Sequence, residues 1–398
     1  MTLSNIFEII ILISLFVVIY TFLLYPLFVF ILAKFIKKPI KSTPDDSKKI
    51  AVLIAAYNEE DTIEDAIKSI INSGYPLDKI SIYIGLDGST DSTFSILQNL
   101  QKKTKNINIY QFERAGKNST LNKLIEKINE EYVFFLDADL RVQPDTFQHL
   151  ISVLQVENVY GVMVPVKIIN QESSDSGGTG EVIYQKFDAF IRYNESLIFS
   201  TANSLGTLYG VRREALSPIP DNRVCDDLFR VFYIISLRKR FIFDTKYYVI
   251  EIRTKSLNKE LNRRIRLVSG GLSTLRAVKQ ILSPKYGLMS LFVISHKLLR
   301  WLTPVFMIIF LLSIFIIDRN SFLYYPLIYF NIIVYGFALL GWIFDKLKIN
   351  FFPFKIFLFF VSMNIGFLLG IIRFFSKKQN SLWDRNKLND EIKNLNIN

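Results

Sequence analysis

The chain has 398 residues, half of them hydrophobic, and carries a formal net charge of +12. A single cysteine, Cys225, excludes an internal disulfide, and two histidines, His149 and His296, leave no basis for a His/Cys zinc site. The basic surplus gathers beside apolar stretches, at Lys34 to Lys41 and Leu237 to Arg240, with no nucleic-acid motif nearby. It is therefore read as a contact with anionic membrane lipids, and nucleic acid is excluded as a partner.

Ile9 to Ala33 is free of charge and longer than the roughly 20 apolar residues that cross a bilayer. No small-residue cleavage site accompanies it, so a retained anchor is expected. Lys34, Lys37, Lys38 and Lys41 follow at once. By the positive-inside rule they predict a multi-pass protein of the inner (plasma) membrane with its middle part in the cytoplasm.

From Ile50 to Asp139, buried-strand and helical patterns alternate. Ile50 to Ala56 predicts a strand, Thr62 to Ser73 a helix with Asp61 as N-cap, and Ser81 to Leu86 a second strand. A helix running to about Leu100, a strand over Asn108 to Phe112, a helix over Ser119 to Ile128 and a strand over Tyr132 to Leu136 complete the series. Strands joined by such helices take right-handed crossovers, which predicts an α/β, Rossmann-like, mostly parallel sheet.

The commoner phosphate motifs are missing. No G-x-G-x-x-G follows the first strand, and Gly116-Lys117 lacks the rest of a P-loop because Gln111 and Asn118 replace its Gly and Ser/Thr. Instead each strand edge presents an acid or amide: Asn58-Glu59, then Asp87 and Asp91, then Asp137 and Asp139. Ligands of parallel sheets bind at that edge. Ordinary turn and cap chemistry also accounts for Asp87-Gly88-Ser89-Thr90-Asp91. On extended backbone Asp137 and Asp139 point the same way and can meet one hard divalent cation.

Glu172 to Gly180 reads as a flexible polar loop, and Asp226-Asp227 as a helix N-terminus stabilised by acids. Arg263, Arg264 and Arg266 suit a basic amphipathic helix on lipid headgroups. After Tyr286, three apolar stretches follow: Trp301 to Ile317, Ser321 to Phe344 and Ile356 to Ile372. If all three cross, the tail with Lys377, Lys378, Arg385 and Lys387 lies outside, against the charge rule. The expected resolution makes Ile356 to Ile372 re-entrant or interfacial, loosened by Pro353, Gly366 and Gly370. The implied organisation is an anchor and linker over 1–47, an α/β domain over 48–285 with an amphipathic region near 255–285, and a membrane region over 286–398.

Together these residues resemble family 2 glycosyltransferases of the GT-A fold, above all the membrane-embedded cellulose-synthase-like and hyaluronan-synthase-like branch. The resemblance is carried by Ala56-Tyr57-Asn58-Glu59, Asp87-Gly88-Ser89-Thr90-Asp91, Gly116-Lys117 with Leu121-Asn122, Asp137-Ala138-Asp139 and Asp226-Asp227. Gly206-Thr207-Leu208-Tyr209 with Arg212-Arg213-Glu214 is similar to the family's acceptor-side segment. The resemblance implies a nucleoside-diphosphate sugar donor, a UDP-sugar favoured, held by Asn58, Glu59, Asp87, Lys117, Asp137, Arg263 and Arg266. It implies Mg²⁺ or Mn²⁺ on Asp137 and Asp139, and Asp227 as the base of an inverting hexosyl- or N-acetylhexosaminyl-transfer to a glycan or lipid-linked acceptor.

Processive members carry Q-x-x-R-W, where this chain has Arg263-Arg264-Ile265-Arg266-Leu267; loss of the tryptophan counts against long-chain synthesis. Ser295 to Trp301 resembles the start of the family's C-terminal membrane region, with Trp301 expected as an interfacial anchor and His296 as a local structural residue. Two other readings compete: transfer of one sugar to a polyprenyl phosphate or lipid headgroup, and a non-catalytic scaffold of a polysaccharide export complex.

Overall fold

The computed structural model describes residues 2–40, 42–169, 176–220, 225–252, 257–349 and 351–376. The first apolar stretch is two helices in line, α1 (Leu3–Ile19) and α2 (Tyr25–Ile36), joined by a π-turn at Tyr20–Leu24. Pro26 has no N–H for the carbonyl four residues back and its ring crowds that turn, which accounts for the widening.

The α/β alternation follows: β1 (Ile50–Ala56), α3 (Ile63–Ile71), β2 (Ile80–Asp87), α4 (Thr93–Lys103), β3 (Ile107–Phe112), α5 (Lys117–Ile125) and β4 (Tyr132–Leu136). Each element lies within about three residues of its expected place. Thr62, not Asp61, occupies the N-cap position of α3, and it caps without a side-chain bond. Then come β5 (Leu140–Val142), α6 (Thr146–Leu154), β6 (Val159–Met163), β7 (Val166–Ile169), α7 (Ser176–Ile198), β8 (Leu208–Arg212), α8 (Asp226–Ser236), β9 (Arg240–Phe243), β10 (Val249–Ile252) and α9 (Leu257–Ala277). The C-terminal part holds α10 (Leu288–Val293), a second π-turn at Ile294–Leu298, α11 (Leu299–Ile314), α12 (Tyr324–Lys346) and α13 (Phe352–Phe375).

The main sheet has seven strands in the order β3-β2-β1-β4-β8-β6-β9, and β5, β10 and β7 make a small second sheet. Strands β3, β2, β1 and β4 are parallel, whereas β8 runs antiparallel to both its neighbours. That reversal pairs Leu208 with Leu136 and Arg212 with Tyr132. Gly206 thus arrives beside the carboxyl end of β4, and Arg212 to Glu214 lie at the opposite end of the sheet. Only the first half of the expected acceptor-side segment is at the site; Arg212 instead donates to the Leu154 and Val156 carbonyls.

Strands β1 and β4 are buried at every position, because both faces of the sheet are covered. Ile50, Val52, Ile54, Phe134 and Leu136 meet α3, α4 and α6. Ala51, Leu53, Val133 and Phe135 belong to a second core that continues into Tyr25, Val29 and Ala33 of α2 and Phe359, Met363 and Phe367 of α13. The α/β domain therefore shares its core with the apolar helices. Its entry segment is pinned as well, with Lys38 N–H donating to the Leu197 carbonyl at 2.6 Å.

Four stretches, Leu3–Ile36, Leu288–Ile314, Tyr324–Lys346 and Phe352–Phe375, are long and apolar enough to cross a membrane. The expected re-entrant segment is instead one unbroken helix, α13. Its glycines do not loosen it; they admit α9. A Cβ at Gly370 would meet the Val268 Cβ at 2.7 Å, and one at Gly366 the Arg264 Cβ at 3.0 Å. Trp301 is buried against Gly271 of α9 rather than standing at an interface. Of the expected polar loop, residues 172–175 lie outside the described residues, while Ser176 to Gly180 open α7. Lys41 and the tail residues Lys377, Lys378, Arg385 and Lys387 also lie outside the described residues.

Gly370→Ala forces the α9–α13 seam apart and should cost about 1–3 kcal/mol, read as a lower midpoint in thermal unfolding of the purified protein. Gly336→Ala, where nothing lies within 4 Å, should leave the midpoint level or slightly raised. Equal behaviour of the two variants would remove the packing role of Gly370.

Candidate active site

The loops after β1 and β2 are tied to each other. Asn58, in the left-handed region at φ 53°, donates its N–H to Ser89 Oγ (3.2 Å) and accepts from Thr90 N–H (2.9 Å). Glu59 is buried, accepts from Thr62 Oγ1 (2.8 Å) and donates its N–H to Thr93 Oγ1 (2.9 Å). Asp91 receives Thr93 N–H, Thr93 O–H and Glu60 N–H. Burial raises its carboxyl, but those donors outweigh it and hold the group below its ordinary value. Asp91 is thus occupied in turn and cap chemistry.

Asp87 is engaged too. Its carboxylate accepts from Ala115 N–H (2.7 Å), Gly116 N–H (3.0 Å) and Arg114 Nη1 (2.7 Å), fixing the 114–116 loop below the strand edge. Arg114 in turn lies flat over Tyr57, 3.2 Å from the ring centroid. Gly116 sits at φ 97° and opens α5. The next residue, Lys117, is thereby carried to the carboxyl end of β4.

Lys117 is the hub of the acidic cluster. Its Nζ donates to Asp137 Oδ1 at 2.7 Å and lies 3.4 Å from Asp226 Oδ1. Asp226 also accepts from Tyr209 O–H at 3.1 Å. The Asp137 carboxyl sits well above its ordinary value: enclosure raises it, Lys117 pulls it down, and Asp139 and Asp226 push it up again. Asp137 to Asp139 is not extended backbone. Leu140 N–H bonds the Asp137 carbonyl (3.2 Å), so a tight turn, not pleat alternation, brings the two carboxylates together. The turn offers two hard oxygen ligands beside an excess of negative charge, a donor set that fits Mg²⁺ or Mn²⁺. Among the described residues no group of three or more His, Cys, Asp or Glu is placed to hold a metal unaided. A cation here would need ligands from a bound molecule as well.

Asp226 and Asp227 begin α8, where the helix dipole favours acids. The Asp227 carboxyl is raised by burial and then by Asp226, against weaker pulls from Ser204 and Lys117. Gly206, at φ 66°, makes room for it: a Cβ there would stand 3.0 Å from Asp227 Oδ2. Arg266 is close enough to feel Asp137 and Asp227, though burial and Arg263 lower its own pKa. Arg263 lies 3.4 Å from Glu181 Oε1 of α7 and lines the same cavity as Asp227. The structure thus gathers Lys117, Asp137, Asp139, Asp226, Asp227 and Arg266. It sets Asn58, Glu59 and Asp87 on adjoining loops and turns Arg263 toward a cavity beyond Asp227.

That cavity runs between α7, α9 and the second π-turn. Its wall includes a buried ionic cluster that the sequence reading missed. His296 bonds Glu195 through Nδ1 (2.8 Å) and Asp188 through Nε2 (2.9 Å); Arg300 donates to Asp188 (2.6 Å), and Arg192 pairs with the same carboxylate. Tyr25 O–H reaches Glu195 (2.5 Å) from α2. The available signal was the spacing of Glu181, Gln185, Asp188, Arg192 and Glu195, alternately four and three residues apart, a polar stripe at helical period. His296 is therefore a link between distant segments, not a local structural residue.

Residues 51–218 match the family model described as Glycosyl transferase family 2. A poly-beta-1,6-N-acetyl-D-glucosamine synthase of Staphylococcus epidermidis is 24% identical over 290 residues, 71% of this chain and 68% of that protein. One of Staphylococcus aureus (strain MSSA476) is 29% identical over 167 residues, 42% of this chain and 39% of that protein. The match thus spans about two-fifths of the S. aureus protein. Among solved structures, the mannosyltransferase PcManGT from Pyrobaculum calidifontis, in complex with GDP-Man and Mn²⁺, superposes with a TM-score of 0.71 at 19% identity, covering 93% of this chain and 99% of that one. That likeness shows a shared GT-A fold.

Gly206→Ala places a methyl group against the Asp227 carboxylate and strains the backbone. With Asp227 as the base that the resemblance implies, sugar transfer should fall about 100-fold, because displacing a reacting group by about 1 Å costs that much. Circular dichroism should remain that of the parent, and an unchanged turnover rate would show that Asp227 is not held by this contact.

Proposed function

We propose that the chain is a family 2 glycosyltransferase, on the match over residues 51–218 and the staphylococcal relatives, and that it moves a sugar from a nucleoside-diphosphate sugar, with inversion, onto a growing cell-surface glycan or a lipid-linked acceptor. The observation that carries this reading is the buried Asp227 at the head of α8, on the same lysine-bridged cluster as Asp137 and at the end of the cavity. The names of the staphylococcal relatives favour a UDP-N-acetylhexosamine as donor. In this reading the α/β domain, over about 48–285, faces the cytoplasm at the inner membrane, supported by Lys34, Lys37 and Lys38 after the first apolar stretch. The scaffold reading does not account for a desolvated acid pair aligned with a cavity.

Asn58, Glu59 and the Asp87-braced loop flank the edge where the nucleoside would lie. The acceptor hydroxyl attacks the anomeric carbon on the face opposite the diphosphate and passes its proton to Asp227. The new C–O bond forms as the bond to the diphosphate breaks, with the electron pair leaving on the nucleoside diphosphate. A desolvated carboxylate beside a second acid is a stronger base than an exposed one, which suits that proton transfer. Lys117 and Arg266 supply positive charge where the leaving group becomes more negative. Asp137 and Asp139 would hold Mg²⁺ or Mn²⁺, which when bound supplies Lewis-acid stabilisation of the diphosphate.

Asp227→Asn should lower transfer by at least about 100-fold while donor binding persists, measured by nucleoside-diphosphate release and by calorimetric titration of the donor. Parent-level turnover would refute the assignment. The parent enzyme should also lose activity as pH falls through the raised pKa of Asp227, because protonation removes the base. The acid limb of its kcat/KM profile should therefore lie above the ordinary carboxylate range. Asp139→Asn should abolish the chelator-sensitive part of donor binding; identical binding with and without chelator in both proteins would exclude a metal at this turn.

A further inference from the structure

The cavity beyond Asp227 has a cationic wall. Arg192, Arg264, Lys297 and Arg300 line it, against two carboxylates, Asp188 and Asp227. Arg300 is 2% exposed; its Nη1 serves Asp188 and Tyr184, while its Nε and Nη2 have no hydrogen-bond acceptor. Arg192, 3% exposed, likewise leaves Nη1 without an acceptor. Lys297 adds an ammonium packed over the Trp301 ring (5.4 Å). With Arg263 also in the lining, five cationic side chains face two carboxylates, and guanidinium and ammonium groups only donate, so the complement of this wall is an anion with several oxygens.

The position of the wall indicates where that anion comes from. Helix α7 is polar inward and apolar outward: Glu181, Asp188, Arg192 and Glu195 are buried, while Val182, Ile183, Phe190 and Tyr193 are each about two-fifths exposed. Its outer face meets the first membrane helix through Phe22–Phe187 and Phe30–Phe190. Lys186 lies among these exposed apolar residues, so the outer face is the mixed kind that suits a membrane interface, with the cavity on the other side. Arg300 itself belongs to the apolar stretch Leu288–Ile314.

We propose that this cavity binds the phosphate group of a membrane lipid against Arg192, Lys297 and Arg300, and that a hydroxyl of the same lipid headgroup is the acceptor presented to Asp227. The acceptor role rests on the glycosyl-transfer reading of Asp227; the phosphate site does not. The lipid's hydroxyl proton goes to Asp227 and its oxygen takes the sugar, while the phosphate is held and not transformed.

The test uses the full chain in a maltoside detergent, which carries no phosphate. Retention of phosphatidylglycerol and of the matched diacylglycerol is followed by native mass spectrometry and thermal shift, with inorganic phosphate as a third probe. Phosphatidylglycerol should be held at least about tenfold more tightly than diacylglycerol, and Lys297→Gln should weaken it about tenfold, the range expected for one charged hydrogen bond. Lys297 makes none of the hydrogen bonds of the Asp188 cluster, so this variant stays informative if Arg300→Gln fails to fold. Equal retention of the two lipids, or no effect of Lys297→Gln, would overturn the site. Protection by inorganic phosphate without lipid retention would overturn the lipid as its source. Retention requires no turnover, so Asp227→Asn should keep it even while transfer is lost, which separates this site from the catalytic assignment.

Discussion

The seam between the α/β domain and the apolar helices is organised around one buried carboxylate, Asp188. Burial by itself would drive its proton on, yet Arg192, His296 and Arg300 hold it well below its ordinary value. These groups come from α7, the second π-turn and α11, and Tyr25 joins through Glu195 from α2. Desolvating such charges costs several kcal/mol per ion, and removing any one partner leaves the others uncompensated. An arrangement of this kind tolerates little sliding between its parts. It fixes the orientation of the α/β domain on the apolar helices, a task that hydrophobic contact performs without directional preference. The two π-turns contribute by bringing Tyr20 and Ser295 to within 2.8 Å and by placing His296 inside the seam.

The acids at the strand edges divide into two kinds by what occupies their oxygens. Asp87 and Asp91 are consumed by backbone N–H groups, Arg114 and Thr93, and their work is to shape loops. Asp137, Asp139, Asp226 and Asp227 are four carboxylates facing three cations, Lys117, Arg230 and Arg266, so the local charge is left negative. Like charges held that close are stable only when a proton or a cation offsets them. The same strand-edge motif therefore yields a rigid frame on one side of the sheet and a charge-hungry cluster on the other. The difference arises from the 114–116 loop, which delivers Arg114 to Asp87 and Lys117 to Asp137 from consecutive turns of backbone.

Much of this was legible in the sequence. The β1-to-β4 alternation is plain because strands covered on both faces are written as unbroken apolar runs, and the amides and acids follow each run directly. What escaped was non-local. The antiparallel entry of β8, which separates Gly206 from Arg212, depends on a pairing that no local pattern encodes. The Asp137–Asp139 turn looked extended because its residues do not include glycine or proline. Helix α7 was hidden by its start, Ser176-Gly177-Gly178, and by its reversed polarity: a polar stripe normally marks the solvent side, and here it marks the inside. Gly366 and Gly370 read as weak points because a glycine in a helix is costly unless another helix needs the space, and α9 supplies that need only in three dimensions.

Reversed polarity also bears on what the cavity can recognise. An aromatic ring in the Arg263–Leu267 stretch would present a flat apolar face, suited to successive sugar rings of a long glycan. Leu267 presents none, and the Trp301 ring in the cavity wall packs against Gly271 and lies 5.4 Å from the Lys297 ammonium. The remaining wall mixes charged groups with apolar and aromatic ones, among them Tyr184, Leu205, Leu228, Val268 and Phe367. Guanidinium and ammonium groups discriminate by charge and oxygen geometry far more sharply than by the shape of a saturated ring. In the proposed reading, the charged part of the wall would hold one fixed anionic group of the acceptor beside the apolar helices.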